Sequence, residues 1–128
     1  MAEMSNYLEN ALINGTLRAT SYTAPTTVYL ALYSNDPTDA DTGTEVSGGS
    51  YARQAITFGA PSNGVSTNSA AIEFPQATGT WGTITYVGIR DALTTGNLLY
   101  HTALDASKTI ASGDIFKIAI GSLSVTLA

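Results

Sequence analysis

TTVYLALYSNDPTDADTGTEVSGGSYARQAITF, Thr26 to Phe58, decides the fold. It holds two alternating runs on either side of a polar segment. Val28, Leu30 and Leu32 fall on one face of the first run, and Tyr29, Ala31 and Tyr33 on the other. In the second, Ala52, Gln54, Ile56 and Phe58 oppose Tyr51, Arg53, Ala55 and Thr57. Period-two alternation rich in β-branched and aromatic residues predicts strands with one face buried. Ser34 to Ser50 is Asp-, Thr-, Ser- and Gly-rich with one proline, so residues 34–50 read as a long acidic loop joining a hairpin-like pair.

Upstream, Ser5 to Leu17 is the helical candidate. Ser5 or Asn6 can cap it; with Asn6 as cap, Glu9 completes a capping box. Tyr7, Leu8, Ala11 and Leu12 then share a stripe, and Gly15 weakens or ends the helix. Residues 1–18 therefore read as a helical segment outside the β pattern. Pro25 leads into the first strand.

Downstream, Gly59 to Gly64 is a loop. Ser69 to Phe74 reads as a short strand with Ala70, Ile72 and Phe74 on one face, stopped by Pro75. Thr80 to Arg90 alternates Trp81, Thr83, Thr85, Val87 and Ile89 against Gly82, Ile84, Tyr86 and Gly88; its glycines signal a bulge or close backbone approach. Asp91 to Asn97 reads as a turn with Gly96 at positive φ. Strands at Leu98–Leu104, Lys108–Ile110 and Asp114–Ile120 follow, the last with Phe116, Ile118 and Ile120 inward. A final strand sets Leu123, Val125 and Leu127 inward. About eight short strands predict an all-β fold: a single domain over residues 1–128, an antiparallel β-sandwich or jelly roll over 26–127 with a short N-terminal helix.

At 128 residues and 44% hydrophobic, the chain can bury a core, yet only 12% is charged. So few charges suit a surface covered by a partner or by identical subunits. A net charge of −5 with scattered basic residues leaves no footprint for nucleic acid. No run has the length of a membrane-spanning helix, and MAEMSNYLEN lacks a signal-peptide pattern, so synthesis in a cytoplasm is expected and no membrane partner.

Chemistry is sparse. There is no cysteine and one histidine, His101, in a predicted strand, which reads as structural. No nucleophile elbow or phosphate-binding glycine run occurs. Asp36, Asp39, Asp41 and Glu45 crowd ten residues, and such oxygen-rich clusters suit calcium. Counted from Asp39, however, the glycine comes one place early for an EF-hand and Glu45 comes too soon. The expectation is no enzyme activity, catalytic residue, cofactor or metal, with the loop solvated or used for interaction.

Four stretches carry a family resemblance: SNYLENALINGTLR at the start, TTVYLALYSNDPTDADTGTEVSGGSYARQAITFGAPSNG in the centre, WGTITYVGIRDALTTGNLLYH, and the ending ALDASKTIASGDIFKIAIGSLSVTLA. Over Met4 to Ala128 the chain resembles small structural proteins of tailed bacteriophages, some labelled tail-fibre-like and others like cement, or decoration, proteins. The resemblance implies a virion protein without catalysis. A compact chain without fibre repeats or a stalk favours the head, as a decoration protein on the capsid surface, bound to the major capsid protein and self-associated, as a trimer. A tail or tail-fibre component is the alternative, and a carbohydrate-binding sandwich using Tyr29, Tyr33 or Trp81 the third reading. Expected partner contacts are Met4, Tyr7, Leu8 and Leu12 in the helical segment and Asp36, Asp39 and Asp41 in the loop.

Overall fold

The structure is a computed structural model and describes residues 2–127; Met1 and Ala128 lie outside the described residues. In chain order the elements are β1 (Glu3–Met4), α1 (Asn6–Leu17), β2 (Val28–Tyr33), β3 (Gln54–Ile56), β4 (Val65–Thr67), β5 (Ile72–Glu73), β6 (Gly82–Arg90), β7 (Leu98–Ile110), β8 (Lys117–Ile118) and β9 (Ser124–Thr126). Antiparallel pairing gives a five-stranded sheet in the order β1-β7-β6-β2-β3, with two-stranded ribbons β4-β9 and β5-β8. The fold is mostly β, as expected, with one short helix. β2 and β3 form the anticipated long-looped pair, Val28 opposite Ile56 and Leu30 opposite Gln54.

The core lies on one face of the large sheet. Leu30 and Leu32 from β2, Ile84, Val87 and Ile89 from β6, and Ile56 pack against Ile72, Phe74, Phe116, Leu123 and Val125 from around the ribbons. Tyr51, Phe74, Trp81 and Phe116 add edge-to-face and offset ring contacts with centroids 5.5–6.2 Å apart. Asn68 ties the ribbons together from a buried position. It donates to the carbonyls of Ala70 and Ala119 and accepts from the Leu123 amide, which satisfies backbone groups that short strands leave unpaired.

Several expectations need correction. β2 is buried on both faces rather than one: Ala31 and Tyr33 are buried as fully as Leu30 and Leu32, and the acidic loop meets Tyr33 through a bridge at Glu45. β6 does not keep one alternation. Ile84 pairs with Lys108 and Tyr86 with Ala103, so Thr85 faces four β7 residues and a bulge resets the inward face from Ile84 to Val87 and Ile89. β7 is one strand, but its two paired stretches match the two expected runs, joined by that excursion. The glycine signal is met at Gly88, where a Cβ would sit 2.8 Å from both Leu98 Cδ1 and Tyr33 Cε2. Gly96 has φ +71° in the Asp91–Asn97 turn, as read.

The strands expected at Ser69–Phe74 and Asp114–Ile120 shrink to two residues each, and Ala70 and Ile120 face solvent. Leu127 is exposed rather than inward, and β4 arises where no strand was expected. Trp81 and Tyr33 are buried, Trp81 donating from Nε1 to the Gly49 carbonyl at 2.9 Å, so neither offers a sugar-stacking face. The N-terminal segment does not stand outside the β pattern: β1 is an edge strand of the large sheet, with Met4 opposite Tyr100.

Candidate interaction surface

Helix α1 starts at Ser5, whose Oγ accepts from the Leu8 amide at 3.2 Å. Ser5, not Asn6, is therefore the cap, and Glu9 falls one place beyond the capping-box position. Ser5 is buried; its hydroxyl donates to the Leu98 carbonyl and its amide to the Leu99 carbonyl at 2.9 Å, which fixes the helix origin on β7. The helix runs through Gly15 to Leu17. Of the expected stripe, Leu8 is buried at 4% exposed, Ala11 and Leu12 are half-buried, and Tyr7 is 41% exposed. Ile13 and Leu17, one turn apart on the face away from Leu8, are 53% and 79% exposed. The helix thus carries apolar side chains on two faces, and only one of them meets the domain. Met4 is half-buried in β1.

The acidic loop is not simply solvated, because its acids reach back into the domain. Asp41 makes a bidentate pair with Arg90 at 2.7 and 2.8 Å, and Arg90 also donates to the Tyr33 hydroxyl and the Gly96 carbonyl. Glu45 holds Arg53 in the same fork, at 2.8 and 2.7 Å, while Arg53 Nη1 donates to the carbonyls of Ala92 and Thr95. Both arginines therefore clamp the loop to the Asp91–Asn97 turn. Burial would raise the Glu45 carboxyl, but hydrogen bonds from Arg53 and Tyr51 outweigh it and hold the group below the usual carboxylate range. Burial, reinforced by the Glu45 carboxylate, pushes the Tyr51 hydroxyl up, so it stays a donor, 2.6 Å from Glu45.

Asp36 accepts from the Thr38 amide at 2.8 Å, and Asp39 Oδ1 lies 2.8 Å from His101 Nε2. The Asn6 amide, in the first turn of α1, donates to the Asp39 carbonyl at 2.8 Å, so loop and helix root are one unit. The structure thus brings Met4, Leu8 and Asp39 together around β7, sets Leu12 on the inner side of the helix, and leaves Tyr7 and Asp36 open to solvent. Ile13 and Leu17 lie outside the stripe that the sequence singled out. Their spacing of four, read as a second stripe, would have found them. Arg53 and Arg90 were missed as well, since strand alternation gave no signal for them.

A family model described as podophage GP4 fiber I protein gp80 matches residues 3–126. No curated protein matches the sequence.

Proposed function

From the premise that the chain belongs to the podophage GP4 fiber I protein gp80 family, we propose that this virion structural protein is a capsid decoration protein that docks through the outer face of α1. The observation that carries the docking face is Ile13 and Leu17, apolar and exposed on a helix whose other side is already seated on the sheet. Apolar side chains held at adjacent turns of a rigid helix suit a groove on a partner. The partner is the major capsid protein, and the contribution is binding free energy available only from the assembled shell. The role needs no catalysis, and the protein associates with itself as a trimer at shell symmetry axes. A second reading, a tail-fibre component, is favoured by the family's description as a fiber protein. Cryo-electron microscopy of purified virions separates the two. Density for this fold on the capsid lattice supports decoration; density only at the tail overturns it in favour of the fibre.

A further inference from the structure

We propose that Glu3, Asp39 and His101 form a binding site for a first-row divalent cation. The three come from β1, the acidic loop and β7, so spacing along the chain gives no hint of them. The fold brings Asp39 Oδ1 to 2.8 Å and Glu3 Oε2 to 3.9 Å from His101 Nε2, and the potential ligand atoms of the set all lie within 4.8 Å of one another. Ligand atoms 2.0–2.2 Å from a shared ion are about 3.0–4.3 Å apart, so small side-chain shifts suffice.

Burial and charge point the same way. The His101 ring is 2% exposed, and among the described residues its nitrogens face only carboxylates as groups whose charge could balance it: Nε2 faces Asp39 and Glu3, and Nδ1 lies 3.7 Å from Asp36. Beside the ring is a cavity of about 390 Å³ whose wall includes Glu3, Asp36, His101 and Asp105, and no lysine or arginine among the described residues lines it. Even a charged imidazole leaves these carboxylates with excess negative charge, whereas Glu45 and Asp41 are each matched by an arginine. A divalent cation supplies the balance. Glu3 and Asp39, with side chains 71% and 45% exposed, give it an entry from solvent.

One imidazole and two carboxylates, completed by water, suit manganese or zinc, whereas calcium and magnesium prefer all-oxygen shells. The ion would take the place of the proton between His101 and Asp39. It would cross-link the edge strand, the loop and the root of α1 in a protein that has no disulfide.

The test uses the full-length protein, stripped with EDTA and titrated separately with Mn2+, Zn2+, Mg2+ and Ca2+ by calorimetry and thermal unfolding. The expected result is one saturable Mn2+ or Zn2+ site per chain, and a melting temperature raised by roughly 5–10 °C at about a hundredfold excess over Kd. Mg2+ and Ca2+ should bind at least about tenfold more weakly. Substoichiometric Mn2+ should broaden the His101 ring signals first in NMR spectra. Glu3→Gln alters an exposed side chain, so the metal-free melting temperature should stay within about 1 °C of wild type. It should weaken Mn2+ binding at least about tenfold. Absence of saturable Mn2+ or Zn2+ binding up to about 1 mM, wild-type affinity in Glu3→Gln, or a preference for Ca2+ would each overturn the site. No capsid enters the measurement, so its failure leaves the docking face of α1 untouched.

Discussion

At the scale of single residues, the two arginine–carboxylate forks hold the acidic loop in its folded course. The protonation of Glu45 carries a stability signature. Its folded pKa is depressed, so its contribution is present above the ordinary carboxylate value, about 4.5. That contribution is lost as pH falls from there through the folded value. Glu45→Gln should cost about 1–3 kcal/mol at pH 7, since it leaves the Arg53 fork buried without its charge partner. Urea unfolding of both proteins from pH 7 to pH 3 checks this: the gap should close as the acid limb is entered, and a constant gap would mean the charge does not matter. Gly88 supplies a second residue-scale test. Gly88→Ala should destabilise by about 1–3 kcal/mol, because Leu98 and Tyr33 have no room to retreat in a packed layer. The close approach at Gly88 was legible in the sequence, but neither arginine–carboxylate fork was. An aspartate in a loop and an arginine in a strand look solvated until the chain's distant turns meet, and only the excess of acids in ten residues marked the region at all.

At the scale of elements, the legible parts were those with sustained alternation: β2, β6 and β7, and the hairpin closed by Gly96. What failed was the short, half-regular chain around the core. Ile72, Phe74, Phe116 and Leu123 were recognisable as apolar, but the strands in or beside which they lie are two or three residues long and are held by Asn68 and backbone bonds to loops, which no periodicity reports. The glycines of β6 signalled a bulge, but nothing in the composition placed it at Thr85. Helix α1 was visible as an element, but only its inner stripe was read, and its tie to the sheet through β1 was not. The two faces should separate by mutation. Leu8→Ala should cost about 2–4 kcal/mol, as a buried leucine does. The paired substitutions Ile13→Asp and Leu17→Asp should shift the melting temperature by no more than about 2 °C, since both side chains are exposed. Thermal unfolding of the three variants checks the division; a large loss for the outer pair would show that this face is covered within the domain.

At the scale of the molecule, the fold is one sheet with its core on one side and a helix-and-loop layer on the other. The proposed docking face lies on that second layer, rooted in β7 through Ser5 and in the acidic loop through Asn6, so a partner held by α1 would be coupled to the large sheet. Sequence resemblance carried the virion role, and the match over residues 3–126 bears out the family; where on the virion the protein sits was not written in strand patterns, because head and tail proteins can share one fold. The claim that this face attaches the protein to the shell is tested most directly by sedimenting purified undecorated capsids with wild-type protein and with the Ile13→Asp, Leu17→Asp double variant. Wild type should co-sediment at saturable stoichiometry, and the folded variant should stay in solution, its affinity reduced at least about a hundredfold. Equal co-sedimentation of the two, or none for wild type, would contradict the claim.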